Sequence, residues 1–80
     1  MGDVLYIVVP CYNEEAVLPE TQKELGNKLE TMITAGAVSE KSRIIFVDDG
    51  SKDKTWELIE KYHSENPRIG GVKLAHNRGH

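Results

Sequence analysis

Arg43-Ile44-Ile45-Phe46-Val47-Asp48-Asp49-Gly50-Ser51-Lys52-Asp53 is the stretch that decides the fold. Its first half is apolar at successive positions. A strand that is apolar on both sides wants both faces covered, which is the habit of parallel sheets. The run then breaks into two carboxylates and a glycine, a change of chemistry that ends a strand. Downstream, Asp53 suits the N-cap of a helix over Lys54 to Glu65. Thr55, Leu58, Ile59 and Tyr62 fall on its buried stripe, and Asn66-Pro67 stops it. A weaker strand follows at Ile69 to Leu74, with Gly70 and Gly71 inside it and Lys73 on one side.

Upstream, the same order repeats. Val4-Leu5-Tyr6-Ile7-Val8-Val9 is a second doubly apolar run, ended by Pro10. Between the two runs, Leu18, Leu25, Leu29, Met32 and Ile33 recur at helical spacing and predict a helix from Pro19 to Ala35. Proline suits its first turn and Gly36 its end. The chain therefore reads β-α-β-α-β: the incomplete half of a doubly wound, mainly parallel α/β sheet. Right-handed crossovers put both helices on one face of such a sheet. Yet Val4, Tyr6, Val8 and Leu5, Ile7, Val9 are apolar on opposite sides of the first strand. The 80 residues are thus expected to be the N-terminal portion of a larger fold, with Leu5, Ile7 and Val9 the residues that lack a cover.

Composition narrows the class. At 80 residues there is room for one small domain, marginal on its own. A hydrophobic fraction of 39% with 29% charged residues excludes a disordered or low-complexity chain. The 13 acidic residues outnumber the 10 basic ones, so nucleic acid is not an expected partner. Cys11 is the single cysteine, which rules out an intrachain disulfide and a cysteine-based zinc cluster. Val4 to Pro10 is too short to span a bilayer and has no basic segment before it, so a cytoplasmic location is expected.

In open α/β sheets ligands bind at the carboxyl ends of the strands. All three expected strands end in polar clusters there: Pro10-Cys11-Tyr12-Asn13-Glu14-Glu15, Asp48 to Asp53, and Ala75-His76-Asn77-Arg78-Gly79-His80. An aromatic ring stacks on a base, carboxylates accept from base N–H or ribose hydroxyls, and a cationic end meets phosphates. The combination reads as a nucleotide pocket. It carries neither G-x-G-x-x-G nor G-x-x-x-x-G-K-[ST], which argues against a Rossmann dinucleotide site and a P-loop.

Three of these motifs also carry a resemblance. Val8-Val9-Pro10-Cys11-Tyr12-Asn13-Glu14-Glu15 resembles the opening motif of family-2 glycosyltransferases with the GT-A fold. Val47-Asp48-Asp49-Gly50-Ser51-Lys52-Asp53-Lys54-Thr55 resembles their second motif. His76-Asn77-Arg78-Gly79-His80 is similar to a third, found in the branch that transfers sugars to polyprenyl phosphates. The resemblance implies a hexosyltransferase of lipid-linked or cell-wall glycan synthesis, with a UDP-sugar as donor and a polyprenyl phosphate or saccharide as acceptor. It implies that Pro10 and Tyr12 flank the uracil, and that Glu14 lies at the ribose or base. Asp49 would accept from the uracil N3–H, Asp48 would support the loop beside it, and Arg78 would lie near the diphosphate. A divalent manganese or magnesium ion is implied too. Its Asp-x-Asp ligands and the catalytic base are expected beyond residue 80, so these residues alone are expected to hold no metal and to be inactive. The family's strand order, third-second-first and then a fourth beside the first, leaves the first strand an edge here. Self-association through that strand is expected, and the longer protein is expected at the cytoplasmic face of a membrane.

Blander readings stand beside these. Tyr12 to Glu15 alone reads equally as a solvated loop opening a helix, and Asp48 to Ser51 as a turn. Asp53 is assigned to capping and Cys11 to packing; Trp56 packs along its helix, and His63, His76 and His80 lack metal-ligand spacing. Two other classes compete: a receiver-like signalling module, which needs its acidic pair after the first strand and not the second, and a non-catalytic interaction module.

Overall fold

A computed structural model describes residues 2–74. Its elements are β1 (Tyr6–Cys11), α1 (Leu18–Thr34), β2 (Arg43–Asp48), α2 (Thr55–Glu65) and β3 (Ile69–Lys73). The three strands form one parallel sheet in the order β1-β2-β3. The register sets Cys11 opposite Asp48, and Asp48 opposite Lys73, so all three strands run out at one rim. This is the incomplete β-α-β-α-β half that the alternating pattern predicts.

Both helices lie on one face. Ile44 and Phe46 of β2 and Ile69 of β3 are fully buried there against Leu18 and Leu29 of α1 and Ile59 and Tyr62 of α2. Ile7 and Val9 of β1 join from the edge. The opposite face is bare: Tyr6 is 61% exposed, Val8 59% and Val72 45%. The side chains without cover are thus Tyr6 and Val8. Ile7 and Val9, expected to be uncovered, face the helices. The pleat decides this, because Cys11 is drawn inward to pack, and its own side of the strand carries residues 7 and 9 with it.

The largest shifts of boundary are at the two ends of β1. β1 begins at Tyr6 and runs through Pro10 instead of ending before it. The carbonyls of Leu5 and Cys11 accept hydrogen bonds from Arg43 and Asp49, at 2.9 and 3.0 Å. Odd-numbered residues therefore face β2, and Pro10 turns its donor-free nitrogen to the open edge, where a ladder loses nothing. Val4 and Leu5 lie outside the strand; Ser42, fully buried, accepts from the Leu5 amide at 2.8 Å. α1 ends as expected: Gly36 sits at φ 79°, its N–H bonds to Ile33 and that of Ala37 to Met32, the paired bonds of a Schellman end. No helix among the described residues is long and apolar enough to cross a membrane.

Gly71 explains why β3 carries glycine despite its low strand propensity. A Cβ there would collide with the Ile59 side chain and crowd the Trp56 ring, so α2 lies closer to β3 than any side chain permits. At Gly70, on the bare face, a Cβ would meet only the tip of Ile45, at 3.1 Å. Gly71→Ala is expected to cost about 1–3 kcal/mol, the range for overpacking a fitted core, and Gly70→Ala distinctly less. Urea denaturation of the two variants measures this, and equal losses would contradict it.

Candidate functional site

The rim is built from the β1–α1 and β2–α2 loops, and these are tied together residue by residue. Three consecutive amides follow β1, and each donates to a side chain of the β2–α2 loop or of the first residue of α2. Asn13 donates to Ser51 Oγ at 2.8 Å, Glu14 to Thr55 Oγ1 at 2.8 Å, and Glu15 to Asp53 Oδ2 at 3.1 Å. The return bonds interleave: Lys52 N–H reaches Asn13 Oδ1 at 2.8 Å and Lys54 N–H reaches Glu15 Oε1 at 3.3 Å. Asn13 makes this possible by adopting φ 52°, a conformation that asparagine tolerates better than most residues. α1 has no side-chain cap of its own at Val17. The turn leading into it, closed by the Glu14 carbonyl on Val17 and Leu18, is held from outside by residues that precede and open α2.

Asp53 is the pivot. Its Oδ1 accepts from both the amide and the hydroxyl of Thr55, at 2.9 and 2.5 Å, while Oδ2 takes Glu15. The sequence reading makes Asp53 the N-cap, but the helix starts at Thr55, one residue later than expected, so Lys54 holds the cap position without a side-chain cap bond and Asp53 reaches the Thr55 amide from one residue before it. Thr55 is fully buried, donates to Asp53 and accepts from Glu14, so its hydroxyl is used in both directions. The Thr55 hydroxyl is the main reason that the Asp53 carboxyl sits below its ordinary value.

The candidate ligand residues sort into two groups. Tyr12, 51% exposed, and Asp49, also exposed, directly follow the register pair Cys11–Asp48, so they stand side by side at adjacent strand ends. The Asp49 amide donates to the Cys11 carbonyl at 3.0 Å, which fixes that juxtaposition. Pro10 is exposed on β1 just behind them, and Glu14 is half-buried. Pro10, Cys11 and Glu14 also border a cavity of about 180 Å³ that runs toward Leu18. Asp48 differs: it is fully buried, and its Oδ1 accepts from Ser51 N–H at 3.0 Å. It holds the turn and shows no surface to a ligand. Arg78, with His76 and His80, lies outside the described residues.

The remaining candidates are structural. Burial, then the Glu14 and Asp48 carboxylates, pushes the Cys11 thiol up to about 11, so it is a neutral packed group and not a nucleophile. Trp56 packs on the core with the Lys73 ammonium 5.9 Å from its ring centre. His63 places Nδ1 2.6 Å from the Ile69 carbonyl. Among the described residues no group of three or more His, Cys, Asp or Glu is placed to hold a metal ion. Hollows of about 560 Å³ lie on the outer side of α1, around Asn27 and Thr31, and at the amino ends of the strands, around Val4 and Val38; neither touches this rim.

Comparison with known proteins places these motifs in context. The family model described as glycosyl transferase family 2 matches residues 6–80. An uncharacterized glycosyltransferase of Bacillus subtilis, YkoT, is 49% identical over 77 residues, 96% of this chain and 23% of the relative. An undecaprenyl-phosphate 4-deoxy-4-formamido-L-arabinose transferase of Shewanella sediminis is 33% identical over 96% of this chain and 22% of its own length. The human dolichyl-phosphate beta-glucosyltransferase is 38% identical over 94% of this chain and 24% of its own. The chain thus spans about a quarter of the curated relatives that it matches. No solved structure matches it significantly.

The latch at Asp53 carries a pH signature. A carboxyl whose folded value is lowered contributes fully above its unfolded pKa, and the contribution is lost as pH falls through the lowered value. On acidification the Glu15 and Thr55 amide resonances are expected to shift together, with a midpoint below that of an ordinary aspartate (about 3.9). Asp53→Asn should abolish the transition. A midpoint at or above the ordinary value would contradict the assignment.

Proposed function

This chain belongs to glycosyl transferase family 2, and on that premise we propose that its rim binds the nucleoside of a nucleotide-sugar donor, a UDP-sugar. The observation that carries the proposal is the fixed juxtaposition of Tyr12 and Asp49 at adjacent strand ends. The Tyr12 ring stacks on the base with Pro10 behind it, and Asp49 accepts from the uracil N3–H. Glu14 serves the ribose or the base. Arg78 approaches the diphosphate, and Asp48 acts through the turn that it holds. A pocket that pairs one aromatic plane with a charged acceptor favours a base that presents a ring N–H donor, as uracil does.

The sugar then passes to an acceptor oxygen, with the anomeric carbon's bond to the diphosphate replaced by one to the acceptor. The family resemblance supports an inverting transfer. A polyprenyl phosphate at the cytoplasmic face of a membrane is the acceptor that we favour, because relatives named for undecaprenyl-phosphate and dolichyl-phosphate transfer match nearly all of this chain. The manganese or magnesium ion expected from the resemblance finds no ligand group among the described residues.

Replacing a charged hydrogen-bond acceptor typically removes about 1.5–3 kcal/mol, so Asp49→Ala should weaken UDP binding roughly tenfold or more. Glu57→Ala, exposed on α2, is the control and should bind as the parent does. Calorimetric titration with UDP, and with CDP as a base comparison, measures both. Equal affinity for the two nucleotides would remove the assignment of Asp49 to the base.

We also propose self-association through β1. Tyr6 to Val9 is an unprotected edge beside an apolar face that holds Tyr6, Val8 and Val72. Pro10, inside the strand, blunts only its carboxyl end. Light scattering at micromolar concentration should report a species larger than the monomer that Val8→Lys returns to monomer. A parent chain that is monomeric throughout would overturn this.

A further inference from the structure

Tyr12 is exposed at the rim, and the three amides that follow it tie its loop to the β2–α2 side. All three are held by side chains from the β2–α2 loop and the first residue of α2. Of these acceptors only Thr55 is fully buried, and the Asp53 carboxylate fixes its hydroxyl proton. With that proton committed, a lone pair of Thr55 Oγ1 points to the Glu14 amide. Asp53 uses its second oxygen on the next amide, Glu15. A hydroxyl and a carboxylate in this order thus satisfy two successive backbone donors of the partner loop, and the distance between the loops has little room to vary.

We propose that Thr55 and Asp53 are positioning residues for donor recognition: from the β2–α2 side they set the β1–α1 loop so that Tyr12 meets the same base that Asp49 engages. The inference rests on the reading of the rim as a nucleoside site. Neither residue touches the ligand. Their effect is transmitted through the Glu14 and Glu15 amides, and the ligand's two sides are read by loops that behave as one rigid unit. A threonine hydroxyl used as donor and acceptor has no substitute in valine, which has the same shape but leaves the Glu14 N–H without its partner. Serine keeps both bonds.

The test is UDP titration of the full chain carrying Thr55→Val, Thr55→Ser or Asp53→Asn, alongside Asp49→Ala and Tyr12→Ala. Thr55→Val should weaken UDP binding roughly tenfold, with Thr55→Ser within about twofold of the parent. In a Tyr12→Ala background, Thr55→Val should cost distinctly less than it does in the parent, because much of its effect passes through Tyr12; a purely structural lesion would add in full. Asp53 is exposed, so Asp53→Asn keeps a readout should Thr55→Val fail to fold; it should weaken UDP binding and speed amide exchange at Glu15. If Asp49→Ala and Tyr12→Ala weaken UDP while Thr55→Val and Asp53→Asn bind as the parent does, the positioning role is overturned and the nucleoside site stands. If Asp49→Ala and Tyr12→Ala bind as the parent does, or the parent does not bind UDP, the site reading falls and the positioning role falls with it.

Discussion

The rim depends on one demand: backbone N–H groups that leave a strand must find acceptors before the next helix supplies them. Between β1 and α1 the chain meets that demand with oxygens borrowed from across the sheet. Ser51, Thr55 and Asp53 take the amides of Asn13, Glu14 and Glu15 in turn, and the Asn13 and Glu15 side chains accept from the amides of Lys52 and Lys54. Two loops joined in both directions cannot move apart without breaking several bonds together. The position of Tyr12 beside Asp49 is therefore a property of the pair of loops and not of either alone.

Much of this architecture was legible in the residues. The strand-helix alternation, the shared face of the two helices and the Gly36 stop all follow from apolar period, crossover handedness and backbone preference. The start of β1 and the role of Pro10 were not, because a proline's tolerance depends on which side its missing N–H faces, and that is set by the register with β2. Which side chains of β1 are left bare is hidden for a related reason. A strand apolar on both sides gives no hint of which set the pleat turns inward until one residue, here Cys11, is seen to pack.

At the site, residue types disclosed the candidates but not their division of labour. Asp48 and Asp49 are adjacent and chemically identical, yet one is buried under the turn and the other stands exposed at its tip. Alternation along β2 separates them, since Ile44, Phe46 and Asp48 share the inward side. The cross-loop latch had a weaker signal. Ser51, Asp53 and Thr55 at every second position look like ordinary turn and cap chemistry; their use by a different loop becomes visible only when β1 and β2 are set side by side.

The state of Cys11 has a practical consequence for anyone who wishes to watch this protein at work. A thiol buried at the end of β1 and pushed up to about 11 is almost wholly protonated at physiological pH and slow to react with electrophiles. The sequence holds no second thiol. A second cysteine introduced at an exposed point beside the rim, such as Lys52, would take a maleimide dye selectively while the native residue stays dark. Fluorescence from that single site would follow ligand occupancy in real time without first stripping the chain of its natural thiol.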